Sequence, residues 1–155
     1  MIMRQESGRS MIEMIGVLAI MAIITAGAFA LISTAFHTQK RARVTDDVAN
    51  IVTGVRSLLG EYDDFSNIDN STIFGAIAVS NKNPYGGTYE LAVDASNSRR
   101  FIVSINGLSK SDCEGLLMKA WTDSIGYEES NHKDSGATGK CVDGNKNVVS
   151  ITYGE

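Results

Sequence analysis

The chain has 155 residues, enough for one modest domain and an appendage, and its formal net charge is −4. That balance excludes a broad basic surface of the kind that binds nucleic acid. The two cysteines, Cys113 and Cys141, stand too far apart for a zinc pattern or a redox CxxC pair.

In chain order, the first predicted element is a long helix. The run from Met14 to Phe36 contains no charge. Such a run spans about 35 Å as a helix, against about 30 Å for a hydrocarbon core. It is too long for an ordinary signal h-region, and no small-residue cleavage site follows it. The segment therefore reads as a single membrane pass. Arg4 and Arg9 on one side nearly balance Lys40, Arg41 and Arg43 on the other, so charge alone leaves the orientation close to a tie. The spaced cysteines in a Gly- and Ser-rich region suit an oxidising compartment, which places the C-terminal part outside the cytosol.

The helical period continues past the basic cluster. Val44, Val48, Ile51, Val52, Val55, Leu58, Leu59 and Tyr62 recur at three- and four-residue steps, as on one face of an amphipathic helix. No proline interrupts residues 11 to 62, so the spacing predicts one rod, about 75 Å long. Its apolar stripe needs a partner, most simply a folded head on the same chain.

Beyond Gly60 the pattern changes. Asp63 to Ser71 is polar and turn-rich, and Asn83-Pro84-Tyr85-Gly86-Gly87 is a strong turn signal. Thr88 to Val93 and Arg100 to Ile105 alternate as strands, with a loop from Asp94 to Arg99 between them, which predicts a hairpin. Ser109 to Trp121 reads as a helix with Leu108, Cys113, Leu116, Leu117 and Ala120 on one side and Ser109 or Ser111 as its cap. Glu128 to Lys140 reads as a polar loop, and Val148 to Tyr153 as the last strand. A sheet of three or more antiparallel strands packed on the Val44–Tyr62 stripe makes an α+β head. The resulting organisation is a short polar N-terminus (1–8), an apolar helix (9–36), its amphipathic continuation (37–62) and a globular head (63–155). A Cys113–Cys141 bridge would close a loop worth about 3.6 kcal/mol by chain entropy; two free buried thiols are the alternative.

The opening stretch SGRSMIEMIGVLAIMAI, Ser7 to Ile23, resembles the N-terminus of type IV pilin precursors. A short polar leader ends in Gly8, and Glu13 falls five residues later at the head of the apolar helix. Asn-Pro-aromatic-Gly-Gly before a strand, and the Gly-Leu-Ser-x-x-x-Cys segment from Gly107 to Cys113, resemble the type IVb pilins in particular. The resemblance implies a leader Met1–Gly8 removed by a prepilin peptidase, Arg9 as the first mature residue, and Glu13 as its fifth. Family N-methylation would fall on Arg9, which stands where most type IVa pilins carry Phe. Many pilins also carry a proline midway along the apolar helix, where this chain has Ala30.

Within that frame Glu13 has a physical reading. A carboxylate at the bilayer centre costs about 2.5–3.5 kcal/mol, and less near the cytoplasmic edge. Once subunits leave the bilayer and pack their helices, Glu13 needs a cation, which the freed α-amine or the guanidinium of a neighbour's Arg9 would supply. The pair would then select one axial register. An interfacial Glu beside headgroups is the alternative. Ala22, Ala26 and Ala30 at four-residue steps would let helices approach closely, though small residues are also generic in apolar helices.

No catalytic constellation, nucleophile motif or phosphate loop stands out, and His37 and His132 are isolated, so the chain does not read as an enzyme. Asp143 to Asn147 places oxygen ligands at alternate positions but lacks the Gly and Glu of a calcium loop. No cofactor or metal is expected.

The leading expectation is a structural subunit of a type IV pilus, the major one given its compact head. Its partners would be copies of itself in a helical filament, the inner membrane before assembly, the assembly machinery and minor pilins. Its location would be the bacterial inner membrane as a precursor, then an extracellular pilus. The alternatives are a minor pilin or a pseudopilin of a type II secretion-like system, and a membrane-anchored binding domain that never polymerises.

Overall fold

The computed structural model describes residues 11–60, 64–129 and 140–154. Its elements in chain order are α1 (Met11–Leu59), α2 (Asn70–Ile77), β1 (Tyr89–Asp94), β2 (Asn97–Leu108), α3 (Lys110–Leu117), β3 (Ser124–Glu129) and β4 (Asn147–Gly154). The chain forms two compact units, one ending at Thr38 and the other starting at Gln39, with the boundary inside α1.

In the first unit every described residue of α1 is exposed. Two threonine hydroxyls within this apolar stretch are turned back onto their own helix. Thr25 Oγ1 donates to the Met21 carbonyl at 2.7 Å and Thr34 Oγ1 to the Ala30 carbonyl at 3.1 Å. Each threonine thus satisfies its own donor and leaves the helix surface apolar.

In the second unit the period-3.6 stripe does what its spacing predicts. Val44, Val48, Ile51, Val52 and Val55 are buried against a four-stranded antiparallel sheet, giving an α+β arrangement. Leu58, expected on the stripe, is instead 46% exposed, while Leu59 beside it is partly buried against the core. Tyr62 lies outside the described residues.

The strand order is β1-β2-β4-β3. Residues two apart point to the same face of a strand, and that face carries Tyr89 and Leu91, then Phe101, Val103 and Ile105, then Val149, Ile151 and Tyr153. All are buried. Register aligns them in rows: Leu91 with Val103, Val103 with Ile151, and Phe101 with Tyr153. Phe101 also meets Phe65 at 4.8 Å and Tyr153 at 5.6 Å between ring centroids.

Two elements were not assigned in the sequence reading, and two others differ in their bounds. Helix α2 occupies a stretch whose start read as turn-rich and whose remainder carried no assigned element. It is held by its N-cap, Asp69, whose carboxylate accepts from Thr72 N at 2.9 Å. Hydrogen bonds from Ser71 and Thr72 hold that carboxyl down to about 2. Strand β3 was not expected either, and its last residues, Glu128 and Glu129, fall within the segment read as a loop. Ser-Ile-Gly-Tyr-Glu-Glu has weak strand propensity, and its pairing with β4 supplies the order that the local sequence lacks. Strand β2 begins at Asn97, inside the expected loop. Helix α3 stops at Leu117, earlier than expected, with Ser109 as its N-cap; Ala120, placed on its apolar side, is exposed.

The turn at Asn83–Gly87 fixes the entry to the sheet. Buried Asn83 accepts from Tyr85 N and Gly87 N, both at 3.0 Å, and donates to the Asn106 carbonyl at 2.7 Å. The two backbones meet there. A Cβ on Gly87 would collide with the Asn106 carbonyl, and Gly107, at φ 78°, lies against Gly87 Cα. Gly87→Ala is expected to destabilise the head by about 3 kcal/mol or more. Urea unfolding followed by the fluorescence of Trp121 measures it; an unchanged midpoint would show that this contact can relax.

Candidate functional site

Two regions carry the features that the sequence singles out: the start of α1 and the disulfide-linked side of the head. At the first, Glu13 sits in the first turn of α1. Around it Met11, Ile12, Met14, Ile15, Val17 and Leu18 are all more than half exposed. By length and composition α1 can cross a membrane. Ala22, Ala26 and Ala30 also lie exposed on it, four residues apart. Gly8 and Arg9 lie outside the described residues.

At the second, Cys113 and Cys141 form a disulfide, with Cα atoms 6.0 Å apart. The bridge ties the first half of α3 to the segment before β4. Asn147 reinforces this closure. It is buried, its Oδ1 accepts from Val142 N at 2.7 Å, and its amide donates to the carbonyls of Leu108 and Val142, both at 2.9 Å. This is the residue that ends the calcium-like stretch. Its oxygen is engaged by the backbone, and the Asp143 side chain is 94% exposed beside Lys110 at 3.6 Å. Among the described residues no group of three His, Cys, Asp or Glu side chains is placed to hold a metal. His37 is exposed on α1, and His132 lies outside the described residues.

Sequence reasoning missed the polar contacts that seat α1 in the head. Arg41, read as part of a flanking basic cluster, sends Nη2 to the Ser111 carbonyl at 3.3 Å. Its guanidinium fills the space where a Cβ on Gly115 would stand. Asp112 is buried, and its carboxylate accepts from Ser109 Oγ at 2.6 Å. Burial, then the Asp112 charge, pushes the Tyr85 hydroxyl up to about 12, with Arg41 acting the other way. Tyr89 donates to Asp47 Oδ2 at 2.9 Å, which ties β1 to α1. Burial first, then that bond, raises the Tyr89 hydroxyl far above its usual range. No local signal marks the Arg41 and Asp47 contacts, because their partners Ser111 and Tyr89 lie dozens of positions away.

The arrangement is that of an exposed apolar helix with one carboxylate in its first turn, continuous with a disulfide-bonded α+β head. No protein-family model and no curated protein matches the chain.

Proposed function

We propose that the chain is a structural subunit of a type IV pilus, most like the type IVb pilins, which polymerises through the apolar part of α1 after leader cleavage. One observation carries the reading. From Met11 to Lys40 the helix is exposed on every side, whereas from Val44 onward one stripe of the same helix is buried in the head. A helix that is apolar all round needs an apolar surround. The bilayer supplies it first, and copies of the same helix would supply it in a filament. The lone carboxylate in the first turn is the group that neighbouring copies would have to neutralise, and intramembrane ionisable groups are functional by default. The disulfide suits a head that matures in an oxidising compartment and ends outside the cell.

In this reading the chain has no enzymatic role. Its partners are prepilin peptidase, the inner membrane, the assembly machinery and other copies of itself. Processing after Gly8 is testable directly. Gly8→Val is expected to leave an uncleaved precursor in the membrane fraction, at the full 16.6 kDa, while the unaltered chain loses its first eight residues. Intact mass spectrometry distinguishes the two. A mature-length product from Gly8→Val would remove leader cleavage at this junction. Correct processing without surface filaments would favour a membrane-anchored domain that never polymerises.

A further inference from the structure

The head carries a groove that the filament reading leaves unused. A cavity of about 300 Å³ opens between the second half of α1 and the turn joining α3 to β3. Its floor is apolar: Val48 and Val52 of α1, with Trp121 and Tyr153, are all buried. Its rim is cationic, with Arg56 and Lys119 set against one lining carboxylate, Asp123.

Three donors at this rim have bonding capacity to spare. Tyr153 is 3% exposed, yet its hydroxyl makes no hydrogen bond among the described residues. The hydroxyl belongs to a residue that lines the groove together with Arg56 and Asp123. Burial pushes it up to about 12 against the pull of Arg56, so it keeps its proton at neutral pH. Arg56 approaches Asp123 only to 3.9 Å, with both side chains substantially exposed, which is too long for a hydrogen bond. Lys119 donates to Thr45 Oγ1 and stands 5.3 Å from the Trp121 ring centroid, and an ammonium has further N–H groups to give.

We propose that this groove binds a small organic carboxylate with an apolar body. Arg56, Lys119 and the Tyr153 hydroxyl hold the carboxylate, and Val48, Val52 and Trp121 seat the body. Charge complementarity selects the ligand class: the rim is net positive on a chain whose net charge is −4. Ionised acceptors make the stronger hydrogen bonds to such donors. The volume stands at the small end of ligand sites, which suits a single ring or a short chain. The site lies wholly in the head and is independent of the filament reading.

Trp121 is the only tryptophan, so the full-length chain in detergent micelles shows one indole N–H resonance. Titration with benzoate is expected to shift that resonance saturably, with a Kd on the order of 1 mM, as suits so small a ligand. Benzamide, equal in shape but neutral, should bind about tenfold more weakly. Arg56→Gln should weaken benzoate about tenfold and leave benzamide unchanged. Tyr153→Phe should weaken benzoate while leaving the fold intact, since the hydroxyl has no partner to lose. Absence of a saturable shift, or equal binding of benzamide, overturns the proposal. It also falls if Arg56→Gln leaves the benzoate titration unchanged yet lowers filament yield, because the groove would then seat a neighbouring copy.

Discussion

Glu13→Ala is expected to abolish most filament assembly while leaving membrane insertion and head folding intact. Insertion should become slightly easier, because a charge leaves the apolar segment. The head should not change, because its core along α1 begins at Val44. Assembly should suffer because the α-amine exposed by cleavage would enter the helix-packed interior without its counter-charge. An unmatched member of a buried pair costs about 3–5 kcal/mol. In the proposed filament that cost would recur at every subunit, and each 1.4 kcal/mol is about tenfold in an equilibrium constant. Glu13→Asp should give an intermediate yield, since the charge stays but its reach shortens. The measurement is sheared-filament yield against total membrane-bound subunit. A yield from Glu13→Ala equal to that of the unaltered chain would assign the carboxylate an interfacial role beside lipid headgroups.

Loss of the Cys113–Cys141 bridge is the second large effect expected. The two residues are 28 apart in sequence, and closing a loop of that size is worth about 3–4 kcal/mol on the chain-entropy estimate. Domains of this size are stable by only about 5–15 kcal/mol in total. The Cys113→Ser/Cys141→Ser variant should therefore unfold roughly 15 °C lower. The unfolding should be read by Trp121 fluorescence, because Trp121 packs beside α3 and its indole donates to the Leu116 carbonyl at 3.2 Å. Asn147 and the buried face of α3 should keep the fold recognisable, so the loss is one of stability rather than of topology. An equal midpoint with and without reductant would show that Asn147 and the α3 packing suffice.

The long helix and the head were legible from periodicity. Runs such as Val44-Val48-Ile51-Val55, and alternation in β1, β2 and β4, report burial through local spacing, and burial is what those side chains meet. A bridge between Cys113 and Cys141 was one of two readings of the spaced pair, and the structure forms it. The Asn83–Gly87 turn announced itself through Pro and Gly. Its hydrogen bonds to the facing strand, through the Asn106 carbonyl, did not.

Tertiary structure alone decided the rest. Strand β3 has little strand character by itself and exists because β4 offers it an edge. Helix α2 is short, and its first residue, Asn70, accepts from Leu91 N at 2.7 Å across the fold. Arg41, Asp47 and Arg56 look like ordinary surface charges of one amphipathic helix, yet one reaches α3, one bonds Tyr89 and one borders a groove. Periodicity tells which face of an element leaves water, because that cost is local to the side chain. It is silent about which polar group meets which, because that depends on partners brought together only when the chain has folded.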